Sequence, residues 1–446
     1  MAQNQFPGNV ARLTWADSRG ARVVLVVAYL VVVATPVVIA SFAGLRVGGR
    51  LLVRLGADAA LLGFAILALQ VLLSARLRLL DRPFGLDVVM RFHKYLAIAA
   101  GVLLVLHPVL LALGHRSAWL FSRETGWRIN LGKAGYVLLL LVILSALLFR
   151  RLHVNYQSWR FLHKGAVLLV PIGAVHAFST GTDLGSVGVK VYLGLLLCAA
   201  LAVFLYRNAI VPFWRSRRFA VAGVEPATHN TWTLTLRPER RALFPYRPGQ
   251  FMFLKLVRPG RRSEEHPFTV SSSPTQEGMI TATIKESGDF TNTIGETRTG
   301  GRALVEGPFG RFSFLHQNPK RFLFIAGGVG ITPTMSMLRY LRDTDDRRPV
   351  TLIYGNREER DIIFRQELDR LPRDVKVIHV LSDPGADWSG LRGYVTAETI
   401  QEQAGGVLGE ADVYLCGPPV MMKKVMAALK SLGVHRRRIH YERFAL

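Results

Sequence analysis

The first half of the chain contains apolar runs that, as a set, only a membrane can accommodate. A helix needs about 20 apolar residues to cross a hydrocarbon core of about 30 Å. Six candidate spans lie near 21–43, 58–80, 90–113, 131–149, 160–179 and 187–207. An even number of spans places both chain ends on one side of the bilayer. The sequence therefore predicts a six-helix membrane domain over residues 21–213, preceded by a cytoplasmic segment, residues 1–20.

The chain is strongly basic, with a net charge of +25. Its Lys and Arg residues flank the apolar runs instead of gathering on one module, which disfavours a nucleic-acid-binding protein. The inner loops carry more of them than the outer loops, as in membrane proteins that retain positive loops in the cytoplasm. We expect the lipid bilayer as surroundings, no nucleic acid and no obligate protein partner. The two cysteines, Cys198 and Cys416, cannot build a disulfide framework.

Two of the spans carry a pair of histidines each, His93 with His107 and His163 with His176. Imidazoles inside a membrane are costly and mark function. The first pair returns to nearly one helix face about 21 Å further along. The second pair fits a straight helix less well, and Pro171 between them could bend or rewind it. Because the two spans run in the same direction, His93 lies level with His163 near the cytoplasmic end, and His107 lies level with His176 near the outer end. This arrangement suits two bis-imidazole haem sites. The alternative is that these histidines cap helices or hydrogen-bond across the bundle.

The second half has the pattern of a globular protein with two domains. Alternating strands at 230–236, 250–257 and 279–285 predict a small antiparallel β-barrel over residues 214–318. Buried strands at 321–326, 350–354, 375–380 and 412–416 alternate with helical stretches. That alternation predicts an α/β Rossmann-like domain with a parallel sheet over residues 319–446.

Three short segments of the barrel half are predicted to contact a flavin: 247–250 (RPGQ), 266–272 (HPFTVSS) and 285–291 (KESGDFT). Backbone and hydroxyl donors of the third could meet a pyrophosphate. A glycine turn between strands is more often structural, so the order and spacing of the three carry the prediction. The candidate flavin-binding residues are Arg247, Gln250, His266, Pro267, Phe268, Thr269, Ser272, Lys285, Gly288 and Thr291.

A glycine-rich turn is predicted to bind the phosphates of a dinucleotide. It follows an apolar strand and precedes a helix, where amides and the helix dipole favour negative charge. The pattern is GxGxxP rather than the usual GxGxxG fingerprint. The candidate residues of this turn are Gly327, Gly328, Gly330, Thr332 and Pro333.

Residues after two other strands complete the predicted dinucleotide site. Cys416, Gly417 and Pro418 end a strand and open a helix, which favours the nicotinamide side of the site over a merely buried cysteine. Arg357 follows the strand 350–354, near Arg360, and no acidic residue immediately ends that strand. An arginine there can pair with a 2′-phosphate. We therefore expect NADPH, with NADH possible; the alternative for both arginines is a solvated loop charge.

Together these motifs resemble the NADPH oxidase and ferric reductase superfamily in its compact bacterial form, from about residue 58 to the C terminus. The four histidines match that family's haem ligands, H-x13-H in the third span and H-x12-H in the fifth. His266–Thr269 matches its FAD motif HPF[ST], and its NAD(P)H motifs match Gly327–Pro333 and Cys416–Pro418. A phenylalanine that stacks on the flavin in the family matches Phe444, which with Cys416 makes the catalytic pair.

The resemblance implies a six-helix haem domain joined to a ferredoxin-reductase-like module, with FAD, two b haems and NADPH as cofactors. It implies electron transfer from cytoplasmic NAD(P)H to an acceptor across the bilayer. It also implies an integral protein of a bacterial plasma membrane, whose N terminus and reductase module are cytoplasmic. Two alternatives are a six-span transporter or channel with a regulatory nucleotide-binding domain, and a flavin reductase on an inert anchor. Neither explains the paired histidines.

The acceptor is either dioxygen, giving superoxide, or a ferric chelate. The outer loops are rich in basic residues, which would concentrate an anionic chelate. The short loop 179–186 leaves the outer end less covered, which suits a bulky chelate. The outer basic residues are Arg46, Arg50, Arg54, Arg116, Arg123, Arg128, Lys133 and Lys190, against Asp58, Glu124 and Asp183.

Overall fold

The computed structural model describes residues 10–42, 51–115, 126–149, 151–180, 186–215, 217–239, 244–258, 260 and 263–444. They form two compact units. One is Trp15–Phe213, and the other combines Met1–Thr14 with Trp214–Leu446. Six residues of the predicted outer loops lie outside the described ranges: Arg46, Arg50, Arg116, Arg123, Glu124 and Asp183.

The membrane unit consists of helices. They are α1 (Arg19–Phe42), α2 (Leu51–Ser74), α3 (Arg78–Phe84), α4 (Leu86–His115), α5 (Trp127–Leu148), α6 (Tyr156–Lys164), α7 (Leu169–Thr180) and α8 (Val187–Leu205). Within the described ranges, six helical stretches are long and apolar enough to cross a membrane, which confirms the predicted spans. Helix α2 is central, since 56% of its most apolar stretch is buried, compared with 6–22% for the other five spans. The second span begins at Leu51 rather than 58, and it ends at Ser74 rather than 80 because the apolar residues after Arg78 belong to the short α3.

The fifth span is not a continuous α-helix. Helices α6 and α7 are joined by a 3₁₀ segment, Gly165–Leu168, and Pro171 follows in the first turn of α7. Proline lacks an N–H and its ring collides with the carbonyl four residues earlier, which disturbs this turn. Regular helix at about 100° per residue would leave His176 about 140° around the axis from His163. The 3₁₀ residues turn about 120° each, so the four add about 80° and reduce the angle to about 60°.

The first domain of the reductase module is a six-stranded antiparallel sheet. Its strands are β1 (Arg217–Thr228), β2 (Thr231–Pro238), β3 (Phe251–Val257), β4 (Glu265–Thr269), β5 (Ile280–Lys285) and β6 (Arg302–Phe309). Their order is β4-β3-β6-β1-β2-β5. The amide of Ser271, just after β4, donates to the Thr281 carbonyl of β5 at 2.8 Å and links the two edge strands. The predicted antiparallel domain is confirmed.

The second domain is a parallel sheet with helices. Its elements are β7 (Phe322–Gly327), α9 (Ile331–Asp343), β8 (Val350–Asn356), α10 (Arg365–Leu368), β9 (Val375–Leu381), β10 (Leu391–Arg392), α11 (Ala397–Ala404), β11 (Asp412–Cys416), α12 (Pro419–Ser431) and β12 (Ile439–Glu442). The order is β10-β9-β8-β7-β11-β12. Phe322 and Phe324 pack into one core and Leu323 and Ile325 into another, so β7 is covered on both faces. Because β7 lies between β8 and β11, the carboxyl ends of these strands are where a sheet of this kind is expected to bind a ligand.

Candidate functional site

The inner histidine pair has the spacing that one shared iron requires. Here the inner end of the bundle means the end where α1 begins. The rings of His93 on α4 and His163 on α6 have centroids 6.4 Å apart and planes 81° apart. Two metal–nitrogen bonds of about 2 Å, plus about 1.2 Å from each nitrogen to its ring centre, also give about 6.4 Å. The centroid distance therefore matches that of two imidazoles on opposite sides of one iron.

The outer pair has its rings oriented by backbone carbonyls. Nδ1 of His107 donates to the Gly56 carbonyl at 2.9 Å, and Nδ1 of His176 to the Arg128 carbonyl at 3.0 Å. A carbonyl can only accept, so the proton is assigned to Nδ1 and Nε2 keeps its lone pair for a metal. A Cβ at Gly132 would lie 2.5 Å from Cε1 of His176, so the small residue makes room for the ring.

The inner end of the bundle contains buried polar atoms that the described protein leaves without hydrogen-bond partners. They are Nε of Arg22, the hydroxyl of Tyr29, both amide atoms of Gln70, and Nδ1 of His93 and His163. The His93 ring faces the Gln70 backbone carbonyl without reaching hydrogen-bonding geometry. Such atoms are costly unless satisfied. A prosthetic group that carries carboxylates and a metal would supply partners here.

The described residues contain no cluster of three or more His, Cys, Asp or Glu arranged for a bare metal ion. A haem does not require one, because its own ring supplies four ligands and the protein supplies only the axial ones. The paired histidines therefore fit the axial positions of a haem.

Two of the predicted flavin segments come together through aromatic rings. His266 on β4 stacks on Phe290 at 4.1 Å and 25°, and Phe268 lies 6.2 Å from the same ring. The Arg258 guanidinium lies 4.9 Å from the Phe290 centroid and donates to the Thr293 hydroxyl at 2.6 Å. Residues from separate strands thus form one surface with stacked rings and a cation beside it. Arg258, Phe290 and Thr293 were not among the sequence candidates, although Phe290 stands inside the KESGDFT segment.

The other residues of these segments lie on the same strands or turn. Pro267 and Thr269 pair with Phe253 and Phe251 of β3. The Thr291 hydroxyl accepts from the Ser287 amide at 2.9 Å, at the start of a 3₁₀ turn, Thr291–Glu296. The Gly288 amide donates to Asn292 Oδ1 at 3.2 Å. Nζ of Lys285 lies 3.9 Å from an Asp361 carboxylate oxygen, the limit of an ion pair.

Arg247 and Gln250 are engaged within the protein. The Arg247 side chain is 4% exposed and donates to the carbonyls of Ala11 at 3.0 Å and Arg12 at 2.7 Å. Gln250 accepts from the Arg247 amide and donates to the Gly310 carbonyl, both at 2.8 Å. Both side chains thus brace the corner before β3, and their contact with a flavin stays a prediction. The sequence of residues 10–12, Val-Ala-Arg, contains no motif that signals this contact.

Ser272 joins the two domains of the reductase module. Its hydroxyl lies 2.9 Å from the Tyr246 hydroxyl, and its carbonyl accepts from Ser336 of α9 at 2.7 Å. Arg339 of α9 donates to the neighbouring Ser271 carbonyl at 2.7 Å and pairs with Glu367. These bonds fix the barrel against the helix that follows the glycine-rich turn.

The glycine-rich turn and the Cys-Gly-Pro segment are in direct contact. A Cβ at Gly330 would lie 2.4 Å from the Cys416 carbonyl oxygen, and one at Gly327 would lie 2.9 Å from Cδ of Pro418. At Gly417 it would lie 3.1 Å from the Gly327 amide nitrogen. Only glycine permits backbones this close. The two predicted nucleotide segments therefore meet at the carboxyl ends of β7 and β11.

Other residues of the glycine-rich turn begin helix α9. Gly328 has φ +51°, a left-handed conformation that glycine adopts without strain. The Thr332 hydroxyl donates to the Val329 carbonyl at 2.9 Å, and Pro333 lies in the first turn, where a missing N–H costs no helix bond. The remaining free amides at this helix start suit a phosphate.

Cys416 lies beside a carboxylate that the sequence candidates did not include. It pairs with Glu442 across β11 and β12. Burial raises the pKa of the Cys416 thiol, and Glu442 raises it further, so the thiol stays protonated. Phe444 follows two residues after β12 and keeps 43% of its surface exposed. The pairing of β11 with β12 thus places Cys416 beside Glu442 at one edge of the sheet, two residues before Phe444.

Arg357 is already paired with an acid from the next strand. Its guanidinium lies 3.1 Å from an Asp383 carboxylate oxygen, and Arg360 lies 2.7 Å from Glu358. No acidic residue ends β8, as the sequence indicates, but Asp383, which follows β9, supplies a carboxylate beside Arg357. The predicted phosphate-binding arginine thus shares its site with a carboxylate.

Three family models match the chain. Residues 59–174 match the ferric reductase like transmembrane component, residues 214–313 an FAD-binding domain, and residues 324–427 an oxidoreductase NAD-binding domain. These matches follow the same order as the membrane unit, the antiparallel domain and the parallel domain.

Curated relatives each match about half of the chain. The reductase subunit of glycine betaine monooxygenase from Chromohalobacter salexigens is 32% identical over 52% of this chain and 65% of its own. NADH-cytochrome b5 reductase 1 from Candida glabrata is 31% identical over 49% of this chain and 80% of its own. The chain thus spans slightly under two thirds of the first of these relatives. The solved ferredoxin reductase of carbazole 1,9a-dioxygenase is 26% identical, with a TM-score of 0.46 over 51% of this chain and 69% of its own.

Proposed function

The chain belongs to the NADPH oxidase and ferric reductase superfamily, with a transmembrane ferric-reductase-like domain followed by FAD- and NAD-binding domains, and we propose that it carries electrons across a membrane. In this proposal NAD(P)H is oxidised in the cytoplasm, and electrons reach an acceptor on the opposite side through FAD and two b-type haems. The acceptor is dioxygen or a ferric chelate. The cofactors supply the redox chemistry, and the protein supplies binding, orientation and electrostatics.

The observation that carries the proposal is the inner pair of imidazoles, His93 and His163, at 6.4 Å. A histidine pair that merely hydrogen-bonds across a bundle would place ring nitrogens in contact with acceptors. Here Nδ1 of neither ring has a hydrogen-bond partner among the described residues. The outer pair adds the carbonyl-backed Nδ1 pattern that is usual for metal-bound histidines.

The residues of the reductase module have distinct roles in this proposal. The turn at Gly327–Gly330 and the start of α9 bind the coenzyme phosphates. The neutral Cys416 thiol lines the nicotinamide side, and Phe444 covers the flavin ring until nicotinamide arrives. His266, Phe268 and Arg258 form the flavin-binding surface. The Candida relative is named for NADH, and Arg357 supports NADPH, so both coenzymes belong to the proposal.

One absorbance spectrum of the purified full chain tests the function. We expect intense b-haem bands and two haems per chain, whereas a transporter or an inert anchor would show flavin absorbance alone or none. His93→Leu or His163→Leu should remove the inner haem, and His107→Leu or His176→Leu the outer one, each lowering the haem content from two to one. Four single variants that all retain two haems would exclude the assignment.

A further inference from the structure

The imidazole of His163 is stacked on an indole. Its centroid lies 4.9 Å from that of Trp159, with the planes inclined by 25°. The two residues are one turn apart on α6, the spacing at which helix side chains meet. Trp159 stacks in turn on Phe149, which follows α5, at 4.4 Å and 16°. The indole is therefore in stacked contact with one ring that follows α5 and one ring of its own helix, which restricts its rotation.

The other three candidate haem ligands each face a backbone carbonyl. His107 and His176 donate to the carbonyls of Gly56 and Arg128, and the His93 ring faces that of Gln70. Nδ1 of His163 has no hydrogen-bond partner among the described residues. The plane of His163 is thus set by an aromatic contact, where the outer rings are set by hydrogen bonds.

We propose that Trp159 is a positioning residue for the inner haem ligand His163, and that its stacked indole holds this imidazole perpendicular to that of His93. The inference rests on the proposed function, since it assumes that this pair binds haem. The 81° angle between the two rings is the geometry that Trp159 maintains. Without the indole, the His163 ring would rotate about its side-chain bonds toward other orientations.

The angle between two axial imidazoles has a direct spectroscopic signature. In low-spin ferric haem, perpendicular planes leave two iron d orbitals nearly equal in energy and give a strongly anisotropic EPR signal with a high largest g value. Parallel planes separate these orbitals and lower that g value. A change in ring orientation is therefore visible without any measurement of turnover.

The test uses the full chain in its ferric form, with His107→Leu serving to assign the inner signal. Trp159→Leu and Trp159→Met remove the planar face, and Trp159→Phe retains one. Phe161→Leu is the matched control, because Phe161 lies on the same helix and is 78% exposed. We measure the haem content and the low-temperature EPR spectrum of each variant.

We expect a high largest g value for the inner haem of the wild type, the Phe variant and the Phe161→Leu control. The Leu and Met variants should show a lower or broadened inner signal, or loss of the inner haem alone, with the outer signal unchanged. If an aliphatic variant that keeps both haems gave the wild-type inner signal, the role of Trp159 would be excluded while the proposed function stood. The role of Trp159 would also be excluded if neither aliphatic variant accumulated and the inner EPR signal of Trp159→Phe differed from that of the wild type. Wild-type protein without haem would overturn both proposals together.

Discussion

At the scale of single residues, Arg357 offers a test of coenzyme choice, because its predicted contact with a 2′-phosphate would compete with its ion pair to Asp383. Both side chains are mostly exposed, so their ion pair is screened and easily exchanged. A 2′-phosphate could displace Asp383, whereas Asp383 could instead accept a hydrogen bond from the free 2′-hydroxyl of NADH. The same pair can therefore favour either coenzyme, depending on which residue prevails.

Arg357→Ala should raise the Michaelis constant for NADPH roughly threefold to tenfold, the range between an exposed pair and a charge-assisted hydrogen bond. The constant for NADH should change little. Asp383→Asn should act in the opposite direction and lower the constant for NADPH. Steady-state kinetics with each coenzyme measures both. Equal effects of Arg357→Ala on the two coenzymes would remove the arginine from the 2′-phosphate site.

Phe444 is the second residue at which one substitution is informative, because it distinguishes a role in covering the flavin from a role in packing the end of the domain. Phe444→Ser should open the flavin face, alter the rate of flavin reduction by NAD(P)H in stopped-flow, and shift the apparent affinity or the preference between the coenzymes. Phe444→Tyr keeps the ring and serves as the control. If the Ser variant reduced its flavin at wild-type rates with both coenzymes, Phe444 would only pack the end of the domain.

At the scale of elements, the junction of β7 and β11 depends on glycine. In Gly330→Ala the new methyl group would meet the Cys416 carbonyl at 2.4 Å, and backbone cannot move aside as a flexible side chain can. Overpacking of this kind costs about 1–3 kcal/mol. We expect NAD(P)H binding to weaken about tenfold or more, with the flavin and haem contents unchanged.

The matched control is Gly409→Ala in the same domain, because a Cβ there would meet nothing within 4 Å. Titration of each variant with a nonreactive dinucleotide, followed by difference absorbance, gives the affinity. Wild-type affinity in Gly330→Ala would show that the turn does not shape the site.

How far the sequence predicts the elements depends on how local the cause is. Apolar length predicts the six spans and alternation predicts the strands, because each signal lies within the element itself. Pro171 predicts that the fifth span bends or rewinds, but the 3₁₀ turn at Gly165–Leu168 and its rotation of His176 follow only from the structure. The sequence predicts a flavin contact for Arg247, but no local pattern could reveal that it also binds a carbonyl 235 residues earlier. The stacking of Trp159 and the pairing of Arg357 with Asp383 likewise depend on packing between elements.

At the scale of the whole molecule, the acceptor is the open choice. Basic residues on the outer side should concentrate an anionic ferric chelate, and salt should weaken this attraction. In proteoliposomes with NADPH and FAD, we expect ferric citrate to be reduced at a rate that falls as salt rises, and to compete with oxygen for electrons. Superoxide and ferrous iron are measured side by side. A rate independent of salt, without competition, would leave oxygen as the acceptor.

The Arg247 guanidinium also ties the reductase module to a stretch of chain that precedes the first span. Val10 adds a β-bridge to Tyr246 at the same corner. The module is therefore discontinuous in the gene: its largest part is encoded after the membrane helices, and a small part before them. Recombination that exchanged everything after residue 213 for a reductase from a relative would separate Arg247 from the carbonyls it binds. In such chimaeras the contacts between this corner and residues 10–12 should be weaker, unless both ends of the gene are exchanged together. The segment before the first span and the reductase module should therefore evolve together.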